Sequence, residues 1–239
     1  AVARRGSFVA KGAILSKKIG KGTANMRRGP AMSRTHAVMA VEAGVEVANT
    51  LAPEVDIFGT GEMGIGNTTP STAIAAVLTG KPVAELTGPG TGIDDEQRQH
   101  KISVIEESIA LNKPDPKDPI DILAKIGGFE IGTIAGLILG SAAQKKPILV
   151  DGFISTAGAL IACELEPFAR DYIICAHASA EPGHRWMLER LRRKPLLQLG
   201  LRLGEGTGAA LAMNLLEAAV AILTEVATFA EAGVSGSEA

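Results

Sequence analysis

Between Ser33 and Ala52 the apolar residues of SRTHAVMAVEAGVEVANTLA recur at three- and four-residue spacing. That period predicts an amphipathic helix with Ser33 as its cap and Pro53 as its stop. At VDIFGTG the period is lost, and a short apolar run closed by glycines predicts a buried strand entering a loop. TPSTAIAAVLTG predicts a second helix, with Thr69 as cap, Pro70 at the first helical position and Gly80 as stop. After the glycine-rich GPGTGIDDE comes a helix reaching Asn112, with acids in its first turn where the helix end is positive. The proline-rich KPDPKDP then reads as a surface loop, and two helices are expected near 120–126 and 130–144.

KPILVDGF and DYIICAHAS predict two further buried strands, each followed by a helix (STAGALIACEL and GHRWMLERLRR). A long helix over about 207–231 completes the pattern, whereas residues 1–33 show neither period and read as irregular. Apolar strands alternating with helices indicate an α/β fold, a parallel sheet with helices on both faces in the Rossmann-like manner. The expected division is a basic irregular segment at 1–33, an α/β nucleotide-binding core at 34–204 and a C-terminal helix at 205–239. In such a sheet ligands bind beyond the carboxyl ends of the strands, which is where the glycine-rich loops fall.

Composition changes this picture only in places. Hydrophobic residues make up 46% of the 239 and aromatics 3%, so the core is built of Ala, Ile, Leu and Val. The net charge of −2 hides nine Lys/Arg and no acid within residues 1–34, against 15 basic and 26 acidic residues in the remainder. A basic arm of that kind suits nucleic acid or phosphate. It carries Phe8 as its one aromatic and no nucleic-acid motif, which favours a solvated arm or one packed on the acidic remainder. Cys163 and Cys175 stand in apolar surroundings without metal or redox spacing, and read as buried thiols of a reducing, cytoplasmic compartment. The longest apolar runs, near 131–143 and 207–224, are interrupted by glycines or by Glu217 and read as too short to span a membrane. The opening AVARRGSFVAKG, without methionine, reads as part of something longer.

Candidate chemistry concentrates in the loops. GTGEMGIGNTTP, at 59–70, sets glycine-freed backbone amides against a helix N-terminus, the makings of an anion site, yet places Glu62 inside it. It is neither a Walker motif nor a dinucleotide fingerprint. Asp94 and Asp95 look like a metal pair, but helix capping accounts for them; Lys101, further along the same helix, reads as a solvated lysine. Ser155, Thr156 and Ser179 follow strands and could hydrogen-bond a carboxylate or sugar, while His177 and His184 lack a nucleophile or ligand partner and read as structural. Glu205, between glycines in LRLGEGTGAALA, is either a helix-end charge or a general base made basic by desolvation.

GEMGIGNTT, GPGTGIDDE, DGFISTAGALIA, SAEPGHRWMLERL and LRLGEGTGAALA together resemble the signature blocks of the nicotinate-nucleotide–dimethylbenzimidazole phosphoribosyltransferase family, in its order and over nearly all of residues 11–230. The resemblance implies transfer of 5-phosphoribose from nicotinate mononucleotide to dimethylbenzimidazole, with inversion from β to α, giving α-ribazole 5′-phosphate for cobalamin lower-ligand assembly. It implies Glu205 as the acceptor of the benzimidazole proton. It also implies Glu62, Met63, Gly64, Ile65, Gly66 and Asn67 as the phosphate and ribose loop, Lys101 beside the phosphate, Gly152 as a substrate contact, Ser179 toward nicotinate and Leu203 toward the base. No cofactor or metal is implied, and the family is homodimeric. Its members carry a further N-terminal stretch that contributes to a small second domain and one wall of the base pocket, so helices of an incomplete small domain are expected here. Two rivals stand beside this reading: a non-catalytic nucleotide- or phosphate-binding protein of the same fold, and a nucleic-acid binder using residues 1–34.

Overall fold

A computed structural model describes residues 14–89 and 92–233. Three parallel strands pair in chain order: β1 (Phe58–Gly59), β2 (Ile148–Val150) and β3 (Ile173–Cys175). Phe58 is level with Ile148, and Ile148 with Ile173. Between β1 and β2 run α2 (Thr68–Thr79), α3 (Val83–Leu86), α4 (Asp95–Asn112), α5 (Pro119–Ile126) and α6 (Phe129–Ala143). α1 (Arg34–Leu51) precedes the sheet, α7 (Phe153–Leu165) joins β2 to β3, and α8 (His184–Leu191) and α9 (Thr207–Glu225) follow.

Side chains alternate across the sheet as a two-residue period requires. Ile148, Val150, Ile173 and Cys175 enter the large core shared with α1, α2, α5, α6 and α7. Leu149 enters a smaller cluster with Ala209 and Ala212 of α9, against which Ile174, Met213 and Leu216 also pack. The sheet is therefore covered on both faces, as expected.

With so few aromatics, helices approach closely. A Cβ on Gly136 of α6 would lie 1.8 Å from the Val41 carbonyl oxygen of α1, and one on Gly44 of α1 would lie 2.0 Å from that of Thr133. Glycine inside a helix costs about 1 kcal/mol relative to alanine. Here it brings two helix backbones into contact.

The described part of the basic segment is irregular, but it is not a loose arm. Ala31 and Met32 donate their amides to the carbonyls of Lys125 and Ala124 (3.0 and 2.9 Å), and Asn112 Nδ2 donates to Met26 O at 2.6 Å. Lys17 pairs with Glu46, Arg27 with Glu107 and Arg34 with Asp118. Packing on the acidic remainder is thus observed at Lys17, Arg27 and Arg34, while Arg4, Arg5, Lys11 and Phe8 lie outside the described residues.

Ser33 caps α1, accepting from His36 N at 3.1 Å, and Gly80 ends α2 in the left-handed region at φ 68°. Asp94 forms a capping box with Gln97, the capping role expected of it. Four expectations need correction. α2 starts at Thr68, not after Thr69, because its cap position is Asn67, whose side chain turns away to Glu62. α3 and the 3₁₀ turn at Pro167–Tyr172 were not foreseen, being too short to show a period. α9 ends at Glu225 rather than near 231. Finally, α9 is long and apolar enough, by length and composition, to cross a membrane. One stripe of it covers the sheet, while Leu211, Leu215, Ile222 and Leu223 are exposed.

Candidate active site

The loops leaving the carboxyl ends of β1, β2 and β3 meet the turn that begins α9. Asp151 N donates to Thr60 Oγ1 at 2.9 Å, joining the first two loops. Glu62 N donates to Gly204 O at 2.8 Å, joining the first loop to the α9 turn. Residues after β3 are held by a short parallel extension, in which Ala178 N donates to Leu197 O and Ala180 N to Leu201 O (2.8 and 3.0 Å).

Glu205 stands between Gly204 and Gly206, both in the left-handed region (φ 77° and 87°) that strains other residues. Gly61 passes so close that a Cβ there would be 2.6 Å from Gly206 N. Glu205 does not cap α9; Asp151 does. Its Oδ2 accepts from Gly206 N and its Oδ1 from Ala209 N, both at 3.0 Å. Burial pushes the Asp151 carboxyl up, but contact with His177 and these amides more than offset that and hold it below the usual carboxylate range.

Glu62 and Glu205 line one cavity of about 710 Å³, with Glu130, Met63, Leu137 and Met213 on its other walls. Glu205 is exposed there, so the desolvated alternative is not met. The desolvated carboxylate is Glu62, raised to about 7 by burial. The Asn67 side-chain amide, donating to Glu62 Oε2 at 2.5 Å, opposes the rise; the charges of Glu130, Glu205 and Asp151 add to it. A carboxyl that is half-protonated near neutrality repels a neighbouring phosphate far less than a fixed anion would, which resolves the oddity of a glutamate in an anion-type loop.

Met63 also opens onto a second cavity, of about 510 Å³, lined by Gly64, Ile65, Gly66 and Asn67 and faced by Lys21 and Phe129. Lys101 crosses from α4 to the start of α2, where its Nζ donates to Thr68 Oγ1 at 2.7 Å. It is half-buried, and burial lowers its pKa with Glu181 opposing. The reading of Lys101 as a solvated lysine therefore fails. A half-buried ammonium beside a helix N-terminus is an arrangement for binding an anion.

Ser179 lines a third cavity, of about 310 Å³, with Glu181, His184 and Arg185. His184 Nδ1 accepts from Ser179 N at 2.8 Å, so its Nε2 donates to Thr156 Oγ1 (2.9 Å), which donates to Gly152 O (2.7 Å). Burial lowers His184 to about 3, leaving it neutral. His177 and His184 are both buried. Thr156 is consumed in this chain, and Ser155 Oγ is buried without a hydrogen-bond partner. Gly152 lies at the same junction, its amide donating to His177 Nε2 at 3.2 Å. Leu203 stays outside: it is 59% exposed and lines none of the three cavities. Asp151 and Thr60 were missed, although an aspartate directly after an apolar strand in ILVDG was a visible signal.

The family model described as Phosphoribosyltransferase matches residues 2–234. The chain belongs to this family. It is 62% identical over 228 residues to the nicotinate-nucleotide–dimethylbenzimidazole phosphoribosyltransferase of Syntrophotalea carbinolica, and 61% identical over 226 to that of Desulfotalea psychrophila. Those alignments take in 95% and 94% of this chain but 65% and 64% of the relatives' own length. The crystal structure of CobT from Thermus thermophilus superposes with a TM-score of 0.90 at 44% identity, over 96% of this chain and 69% of that one. Membership of the phosphoribosyltransferase family and an α/β fold agree with the architecture above.

Proposed function

We propose that this chain carries the transfer core of a nicotinate-nucleotide–dimethylbenzimidazole phosphoribosyltransferase. Its substrates are then nicotinate mononucleotide and dimethylbenzimidazole, and its products α-ribazole 5′-phosphate and nicotinate. The observation that carries the reading is that Glu62 and Glu205 line one cavity, from which the 62–67 loop leads into the next. The names of the relatives supply the substrates.

The chemistry follows from the groups present. Nicotinate leaves from a cationic ring nitrogen, so the C1′–N bond breaks without a strong acid, and positive charge develops on the ribose. Glu62 is the carboxylate beside that charge; a cation near it draws its proton equilibrium toward the ionised form. Lys101 and the N-terminus of α2 hold the 5′-phosphate, with the amides of Gly64 to Asn67 beside it. The incoming benzimidazole nitrogen forms the new N–C1′ bond on the opposite face, inverting the centre. The ring becomes cationic as it does so, its remaining N–H becomes acidic, and Glu205 takes that proton. Positioning and fixed charge account for the acceleration. Ser179 lies toward nicotinate and Gly152 supports the ribosyl side. In this reading the protein works as a cytoplasmic homodimer and needs no metal.

The exposure of Leu203 favours a second reading, in which the chain holds the nucleotide but not the aromatic base. One experiment separates the two. The chain is incubated with nicotinate mononucleotide and dimethylbenzimidazole, and α-ribazole phosphate is followed by chromatography. Product is expected, with turnover in Glu205→Gln reduced on the order of 10²-fold or more, the scale of a lost general base, and nucleotide affinity nearly intact. Bound nucleotide with no product and no base binding supports the second reading.

A further inference from the structure

We infer that Asp151 and His177 are positioning residues for Glu205: the buried carboxylate, with the imidazole packed against it and bonded to the next amide, fixes the turn from which Glu205 reaches the cavity. The inference builds on the proposed transfer reaction.

α9 has no cap of its own. Gly206 occupies its cap position, and its first turn contains no acidic residue. Every α-helix leaves its first amide donors unpaired, and a helix start under a catalytic turn must have them satisfied from elsewhere. Asp151 does this across 55 residues of sequence, from the end of β2. Its two oxygens divide the work, one on Gly206 N and one on Ala209 N, at 3.0 Å each. Two separate oxygens on two amides one helical turn apart fix the orientation of the helix start as well as its position. Gly206 is the residue directly after Glu205, so one of these bonds anchors the backbone of the proposed base itself.

Asp151 is completely buried and His177 is 1% exposed, with Nε2 3.4 Å from Asp151 Oδ1. A buried carboxylate needs compensation; the two amides supply it, while His177 Nε2 accepts at 3.2 Å from the amide of Gly152, the residue directly after Asp151. The fit around the pair is tight. A Cβ on Gly208, in the first turn of α9, would fall 2.1 Å from His177 Cδ2 and 2.5 Å from Asp151 Oδ1. On the far side, Asp151 N is tied to Thr60, two residues before Glu62. The carboxylate pair of the cavity is thus referred to the end of β2 through this one aspartate. Neither Asp151 nor His177 lines the large cavity, so they act through Glu205 and not on substrate.

The test uses the full chain and four proteins: unaltered, Asp151→Asn, His177→Leu and His177→Gln. Asparagine offers one oxygen where two are needed. Glutamine can place an acceptor where Nε2 takes the Gly152 amide, and leucine cannot. Hydrogen exchange followed by mass spectrometry is expected to show about tenfold faster exchange over 204–210 in Asp151→Asn and His177→Leu, with α6 and α7 unchanged. His177→Gln is expected to retain protection. In turnover, Asp151→Asn should lower kcat on the order of 10²-fold, the scale of a 1 Å misplacement, with KM for nicotinate mononucleotide held within about twofold. Unchanged exchange over 204–210 in both Asp151→Asn and His177→Leu overturns the inference. So does a rise in KM with kcat held. If Asp151→Asn does not fold, the contrast between His177→Leu and His177→Gln decides. Absence of product from the unaltered chain counts against the transfer reaction, while the exchange result still decides whether the pair positions Glu205.

Discussion

Glu62→Gln tests the electrostatics of the cavity through stability alone. Burial raises the Glu62 carboxyl from 4.5 to about 7, against the Asn67 hydrogen bond and with help from Glu130, Glu205 and Asp151. A carboxyl that is harder to ionise in the folded protein keeps its proton where the unfolded chain has lost it. Between about pH 4.5 and pH 7 the folded state therefore binds more protons, and stability falls as pH rises through that window. Above about pH 8 the fall is nearly complete and amounts to roughly 3 kcal/mol before solvent screening. Glutamine cannot ionise, and its amide oxygen can still accept from Asn67. The variant should match the parent near pH 4.5 and exceed it above pH 8. For a domain of this size the difference corresponds to about 6–12 °C in Tm, an upper limit because Glu62 is only partly buried and solvent screens its charge. Thermal unfolding of both proteins from pH 4.5 to 9 measures it. Parallel curves, offset by a constant or not at all, would refute desolvation of Glu62 and with it the account of a glutamate beside a phosphate loop.

Two further outcomes follow from the geometry. Lys101→Ala removes the ammonium that Thr68 receives, and should weaken nicotinate mononucleotide binding about tenfold or more, the scale of a charge-assisted hydrogen bond; calorimetric titration showing unaltered affinity would return Lys101 to a structural role. Gly136→Ala drives a methyl into the Val41 carbonyl oxygen, from which it would be separated by 1.8 Å. It should cost about 1–3 kcal/mol of stability as overpacking, read by urea unfolding, whereas a stabilised variant would show that α1 and α6 are not in backbone contact.

Much of this fold is written in local pattern. The serine before α1, the glycine after α2 and the capping box at Asp94 each satisfy backbone groups within a few residues of themselves. Such features are visible in a window of sequence because the physics that fixes them is equally short-ranged. The glycines beside Glu205 belong to the same class, since a left-handed turn is a property of two residues. By the same rule, the one-turn α3 and the 3₁₀ turn at Pro167–Tyr172 escaped notice, being shorter than the period that would reveal them.

What the sequence by itself determined is the alternation of strands and helices, the loops that follow them, and the blocks that place the chain in its family. Only the tertiary structure decided which carboxylate is desolvated, Glu62 and not Glu205, because burial depends on what other segments cover. It also decided that Lys101 meets Thr68 across 33 residues, and that α9 takes its cap from Asp151 across 55. Electrostatic character and long-range hydrogen bonds are set by distance in space, and a sequence records distance only along the chain.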